Sequence, residues 1–184
     1  MSETLIQAVR THLLTKQGRE IPFPPASIEA VEEAERALGF RIPELLKSLY
    51  LLLGNGGYGP GRLAKIVGVQ GGFAASAGTL AAVYDDLRRG AKYLGMEWRS
   101  GMLPFCDWGC AMFSCVDCND AQSEIYFCEE CRAQPMGFGI EGFIQRWLQD
   151  EDLLECAQWE EKTTEMINLF TKKKMMVKGR RLKG

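Results

Sequence analysis

Apolar residues recur at helical spacing through the first third of the chain. They predict one helix that begins after Ser2 and a second that begins after Ser27 and ends at Gly39, where glycine supplies a left-handed stop. Pro43 is suited to begin a third helix, residues 44–53, since its missing N–H would have no helical partner there. The stretch "GNGGYGPG" that follows indicates tight turns.

The pattern changes after these turns. "RLAKIVGV" (62–69) predicts a strand, and a helix is expected after Thr79. Two strands, residues 111–118 and 123–130, are predicted on either side of the polar turn "NDAQ". Helical spacing returns over residues 140–170, and the acidic residues 150–152 are a candidate break that would divide this helix in two. This order predicts an α+β fold, a twisted and mostly antiparallel sheet flanked by helices, with extra helices at both ends.

Composition agrees with a globular protein. The 184 residues are 46% hydrophobic and 25% charged, so we expect one domain over residues 1–171 with a substantial core. No apolar run is long enough for a transmembrane helix, and residues 1–18 lack the apolar region and cleavage site of a secretory signal. We therefore expect a cytoplasmic location and no membrane association of the body.

Charge is unevenly distributed along the chain. Residues 1–171 carry 15 basic and 24 acidic residues, whereas residues 172–184 carry 7 basic residues and no acidic one. The acidic body is poorly suited to bind nucleic acid. The basic tail could contact phosphates or an anionic membrane, but such runs are typically solvated, so we predict a flexible tail.

Seven cysteines are present, and four of them form two Cys-x-x-Cys pairs: Cys115, Cys118, Cys128 and Cys131. That spacing is typical of structural zinc sites, which need four converging ligands. In extended strands, residues three apart point to opposite faces. If "NDAQ" closes a hairpin, Cys115 faces Tyr126 and Cys118 faces Ser123, so the pairs do not converge. We predict reduced strand cysteines and no bound metal, with a structural zinc site as the alternative.

Candidate catalytic residues are few. His12 is the only histidine and is predicted on the polar flank of the first helix, so any Cys–His or Ser–His–Asp arrangement would depend on it. The chain lacks phosphate-cradle, dinucleotide and nucleophile-elbow motifs, so no cofactor and no enzymatic activity are predicted. Glu35 borders an apolar helical face and would need a partner such as a backbone N–H of the turn at residues 55–57.

Aromatic residues near predicted loops are candidates for partner recognition. They could anchor a partner or cover a face of the sheet. Our predicted partner-binding residues are Tyr58, Trp98 and Trp108, together with the acidic residues Asp85 and Asp86. A protein-binding module is thus favoured over an enzyme.

Two stretches of the sequence each carry an ordered set of motifs. In the first, an acidic residue and Leu-Gly end a helix, a proline opens the next helix, and an Asn-Gly-Gly turn follows: Glu35, Leu38, Gly39, Pro43, Asn55, Gly56 and Gly57. This order resembles the opening signature of the SUKH superfamily, which includes the Smi/Knr cell-wall regulators of yeast. The second resembles a bacterial branch of the superfamily at Trp98, Leu103, Pro104, Asp107, Trp108, Gly109 and Cys115.

The resemblance covers about residues 25–147 and implies an α+β fold without catalytic residues. Many bacterial members are immunity proteins that bind and neutralise polymorphic toxins, often nucleases, and the yeast members are scaffolding regulators. The resemblance implies a protein partner, a secreted toxin domain. An acidic body suits a ligand for a basic nuclease toxin, because complementary charge speeds their encounter. The alternative is an orphan regulatory scaffold or a zinc-stabilised adaptor that uses the four clustered cysteines.

Overall fold

A computed structural model describes residues 2–16, 18, 20–61, 63–75, 78–167 and 174–183. The helices are α1 (Ser2–Thr15), α2 (Ile28–Leu38), α3 (Glu44–Ser48), α4 (Leu80–Tyr93) and α5 (Ile140–Leu148), and a π-helical turn (Leu49–Leu53) continues α3. The strands are β1 (Lys65–Ile66), β2 (Met102–Gly109), β3 (Met112–Asp117), β4 (Glu124–Glu129), β5 (Arg132–Gly139), β6 (Trp159–Ile167) and β7 (Lys174–Leu182).

Local signals account for the boundaries of α2. The Ser27 side chain accepts a hydrogen bond from the Ala30 N–H at 3.2 Å and caps the first turn. Gly39 adopts φ +79°, and its N–H donates to the Glu35 carbonyl at 2.9 Å. The predicted stop at Gly39 is confirmed, as is the opening of α3 directly after Pro43.

Strands β1 to β5 form one sheet in sequential order, and every neighbouring pair is antiparallel. The predicted α+β fold with a mostly antiparallel sheet is confirmed. Cys115 pairs with Tyr126 across β3 and β4, as the hairpin prediction required. The helices cover this sheet, with α4 against β2 and α5 against β4 and β5.

The C-terminal part of the chain differs from the prediction. Helix α5 ends at Leu148, and Trp159–Ile167 is a strand rather than a continued helix. The expected flexible basic tail instead contributes β7, which pairs with β6 from Trp159↔Leu182 to Ile167↔Lys174. Cross-strand pairs of opposite charge favour this pairing, because Glu160 faces Arg181 and Glu161 faces Arg180. Residues 168–173 and 184, which fall in these predicted segments, lie outside the described residues.

Two apolar clusters hold the fold together. The main core joins α1 to α5 with the five-stranded sheet and includes Leu46, Phe105 and Phe143. A second, smaller cluster fastens the β6–β7 hairpin to the sheet through Phe127, Ala157 and Leu182, with Trp108, Met112, Met136, Leu154 and Trp159 packed around them. We call this set the hairpin cluster.

Candidate functional site

Two of the three predicted partner-binding aromatics lie inside the protein. Tyr58 is 1% exposed, and its hydroxyl donates to the Gly54 carbonyl at 3.1 Å. Trp98 is 8% exposed, and its indole N–H donates to the Met102 carbonyl at 3.0 Å. The expectation that these two side chains lie at the surface is therefore wrong. An aromatic side chain near a loop can pack into the core as readily as it can face solvent.

Trp108, the third aromatic, is half-buried at the end of β2. Its indole N–H donates to the Ser114 hydroxyl at 2.9 Å, which fixes the ring against β3. Trp108 also lines a groove of about 440 Å³. We call this the Trp108 groove, and its walls are Pro60, Gly61, Leu63, Trp108, Met112, Trp147, Asp150, Glu151, Asp152, Leu153 and Leu154.

The walls of the Trp108 groove are mostly apolar. Leu63 is one of these walls and has 76% of its surface exposed, so it is accessible to a ligand. Trp147 and Leu153 belong to the main core, whereas Met112 and Leu154 belong to the hairpin cluster. The groove thus lies along the seam between the two apolar clusters.

Three consecutive carboxylates form one rim of the groove, just after α5. Asp150 lies 3.1 Å from His12 Nε2 and 3.3 Å from Lys16 Nζ, and Glu151 pairs with Arg146 on α5. Asp152 accepts a hydrogen bond from the Leu154 N–H at 3.1 Å. Within the described ranges, no lysine or arginine forms an ion pair with Asp152.

His12 is buried, contrary to the surface position predicted for it. Helix α1 packs against α5, and the imidazole meets the Trp147 ring edge-on at 6.4 Å. This histidine lies behind the Trp108 groove and supports it from the inside.

The Glu35 carboxylate ties α2 to the start of α3. It is buried and accepts hydrogen bonds from the Ile42 N–H at 2.8 Å and from Arg41 at 2.6 Å, while Lys47 Nζ lies at 3.2 Å. The predicted need for a backbone partner is confirmed, but the donor is Ile42 rather than the turn at residues 55–57. Burial alone would raise the pKa of Glu35, yet the Ile42 N–H and the two cations outweigh it and hold the pKa below its usual value.

The Asn-Gly-Gly turn organises the loop before β1. The Asn55 side chain accepts from the Val69 N–H at 2.9 Å and donates to the Gln70 carbonyl at 3.1 Å. Gly56 adopts φ +80°, and a Cβ there would lie 2.5 Å from the Ile66 carbonyl oxygen, so no larger residue fits. These contacts fix the loop that leads to Leu63 and the groove.

A comparison with protein families matches the part of the chain that contains these contacts. The model of the SMI1 / KNR4 family (SUKH-1) matches residues 25–139, which contain both the Glu35 contacts and the Asn55 turn. The chain belongs to the SMI1 / KNR4 (SUKH-1) family. At the level of the family, this supports a binding module of the immunity or regulator type. No curated protein matches the chain.

The SUKH-1 match ends at Gly139, so Trp147 and residues 150–154 of the groove lie beyond it. The acidic rim lies in a segment that the sequence indicated only as a break in a helix. The "QDED" run between two helical patterns was the available signal for this rim. The exposed Leu63 carried no sequence signal, because its exposure depends on how the glycine turns orient the loop.

Asp85 and Asp86 lie on the exposed side of α4 in this SUKH-1 domain, away from the Trp108 groove. Each lies near an arginine one helical turn later, with Asp85 3.9 Å from Arg88 and Asp86 3.3 Å from Arg89. This part of α4 is therefore close to neutral, and a partner-binding role of the two aspartates stays a prediction.

The two Cys-x-x-Cys pairs occupy strands and turns of the sheet. Cys115 and Cys128 are buried on neighbouring strands with their sulfur atoms 3.3 Å apart. Cys118 follows β3, and Cys131 lies in the two-residue turn before β5, where its sulfur approaches the Leu87 carbonyl of α4. Over the described residues, no three potential ligand side chains converge on a metal position.

Burial also changes the chemistry of these thiols. It raises the pKa of Cys118 to about 12 and the pKa of Cys115 well above its usual value. Both side chains are therefore neutral thiols at neutral pH, and thiolate chemistry is disfavoured.

No helix of the described chain has the length and apolarity to cross a membrane.

Proposed function

We propose that this SUKH-1 domain is a non-enzymatic immunity protein, which binds a cognate polymorphic toxin in the bacterial cytoplasm and neutralises it. The toxin would dock at the Trp108 groove. The single observation that carries this proposal is the groove itself, which is an exposed apolar surface. Membership of the SUKH-1 family supports a binding module in general.

The chemistry of the groove supports a protein ligand. Protein interfaces concentrate their binding energy in a few well-packed aromatic or apolar contacts, surrounded by a polar rim. Trp108 and Leu63 supply such contacts, and the carboxylates of residues 150–152 supply the rim. A volume of about 440 Å³ accommodates one or two partner side chains.

A non-enzymatic role is supported by the state of the reactive groups. The only histidine of the sequence, His12, is buried between α1 and α5. Burial raises the pKa of the thiols of Cys106, Cys115 and Cys118, which opposes their use as nucleophiles.

The direct experiment first identifies a polymorphic-toxin reading frame beside this gene and then produces its toxin domain. We expect wild-type protein to protect cells that express the toxin and to form a complex with the purified toxin domain. Leu63→Asp places a charge at an exposed position and should lower the affinity about tenfold or more while leaving the fold intact. Tyr93→Asp is the matched control, because Tyr93 is 91% exposed on α4 and lies outside the groove.

Two results would overturn the proposal. One is a wild-type protein that neither binds nor neutralises the neighbouring toxin. The other is a Leu63→Asp variant that binds and protects as well as Tyr93→Asp, because the docking surface would then lie elsewhere.

A further inference from the structure

The three carboxylates on the rim of the Trp108 groove differ in what they face. Asp150 is shared between His12 and Lys16, and Glu151 is occupied by Arg146. Asp152 is exposed, and the only hydrogen bond to its carboxylate in the described chain comes from the Leu154 N–H, to Oδ1. Among the described residues, no donor contacts its second oxygen, which can therefore accept from a ligand.

Asp152 places its negative charge next to the apolar wall of the groove. Leu153 and Leu154 follow it directly and line the same groove, so an apolar side chain in the groove would lie close to the carboxylate. An anionic neighbour would be repelled by this rim, because basic side chains lie near Asp150 and Glu151 and only partly neutralise the three acids.

We infer that the Trp108 groove binds an apolar side chain flanked by lysine or arginine, and that Asp152 is the residue that selects the cation. The partner segment is thus a basic, exposed loop or terminus carrying one apolar anchor. This inference rests on the proposed function for the identity of the partner, but the preference of the groove can be measured without that partner.

The probes are two tripeptides, both acetylated and amidated at their ends, with the sequences Lys-Leu-Lys and Glu-Leu-Glu. Each is titrated into the full-length protein at low ionic strength, and binding is followed through the indole N–H signal of Trp108 in NMR spectra. We expect the basic peptide to bind about tenfold more tightly than the acidic one, because attraction to the rim is replaced by repulsion.

The decisive variant is Asp152→Asn. It keeps an oxygen that can accept the Leu154 N–H and removes only the charge, so the fold and the groove are preserved. We expect this variant to bind the basic peptide about threefold more weakly than the wild type does, and to bind the acidic peptide at least as tightly. Glu33→Gln, an exposed acid on α2 outside the groove, is the charge-matched control and should leave both affinities unchanged.

Several outcomes would overturn the inference. Equal affinities for the two peptides, no response to either, or the same effect from Asp152→Asn and Glu33→Gln would each contradict it. A Trp108 signal that shifts with protein concentration alone would show that a second copy occupies the groove. Failure of toxin binding with a preserved peptide preference would instead reject only the proposed toxin partner.

Discussion

The carboxylate of Glu35 accepts a hydrogen bond from the backbone N–H of Ile42 at 2.8 Å, across the turn that joins α2 to α3. Ile42 is buried, so its N–H has no access to water and depends on this acceptor. Removing the carboxylate in Glu35→Ala should lower the free energy of unfolding by about 2 kcal/mol. Urea denaturation measures the change, and Glu33→Gln, exposed on the same helix, should have an effect near zero.

Acid should weaken the protein through the same residue. The pKa of Glu35 is lower in the folded state than its usual value of 4.5, so the folded state binds this proton less readily than the unfolded state. The stabilisation from Glu35 is therefore complete at neutral pH and is lost as the pH falls from about 4.5 through the folded pKa. The difference in unfolding free energy between wild type and Glu35→Gln should shrink over this range, and a constant difference down to about pH 3 would contradict this explanation.

A second buried carboxylate depends on one arginine. Asp117 is 1% exposed, and its Oδ2 lies 2.6 Å from the Arg99 guanidinium, while Oδ1 accepts from the Asn119 N–H at 2.9 Å. Arg99→Ala leaves a buried charge without its counter-ion and should cost about 2 kcal/mol of stability. The double variant Arg99→Ala/Asp117→Asn should recover part of this loss, because the amide carries no charge. If the stability losses of the single variants Arg99→Ala and Asp117→Asn simply add in the double variant, the ion pair is not the cause.

The free cysteines should react in an order set by their burial. Cys110 is exposed in the turn between β2 and β3, whereas Cys106, Cys115 and Cys128 are buried. A thiol reagent should therefore modify Cys110 first in the native protein and reach the other three only as the protein unfolds. Mass spectrometry of the modified peptides measures the order. Rapid native labelling of Cys115 would contradict the packing described above.

The same placement makes a prediction about metal. Cys118 and Cys131 lie in turns at the ends of different strand pairs, so four thiolates do not surround one point. A strong chelator should leave the melting temperature of the purified protein unchanged. A loss of stability on chelation, together with one zinc ion per chain, would restore the zinc-stabilised alternative.

Leu182 is the buried residue that fastens the end of β7. It packs in the hairpin cluster with Phe127, and its N–H donates to the Glu129 carboxylate at 3.0 Å. Leu182→Ala should weaken docking of the hairpin by about 2 kcal/mol, with a smaller effect on the five-stranded sheet. Hydrogen exchange of the β6 and β7 amides should then accelerate more than that of β3. Equal acceleration throughout would show that the hairpin and the sheet unfold as one unit.

Much of the fold could be predicted because its signals are local. Ser27, Gly39 and Pro43 act within one or two turns of helix, and the "NDAQ" turn sets the pairing of Cys115 with Tyr126. Strand β6 could not be recognised this way, because its glutamates and lysine favour helix and its partner β7 supplies the missing cross-strand charges. The burial of Tyr58 depends on its contact with Trp147, which lies far along the sequence.

The candidate site was predicted only at Trp108. Leu63 comes from the glycine-rich loop, and the acidic rim follows α5. Their proximity depends on the sheet register and on the packing of α1 against α5, and neither is encoded in a short motif. Residues from three separate parts of the chain form this surface only when the tertiary structure brings them together.

The seam beneath the groove has a thermodynamic consequence. Trp147 and Leu153 pack in the main core, whereas Met112 of β3 and Leu154 pack against the residues that dock the C-terminal hairpin. A ligand that contacts Met112 and Leu154 therefore binds best while the docked hairpin holds these two side chains in place, so its binding free energy includes the docking equilibrium. By reciprocity, occupancy of the groove shifts the hairpin toward its docked position, and loosening of the hairpin weakens ligand binding to the same degree.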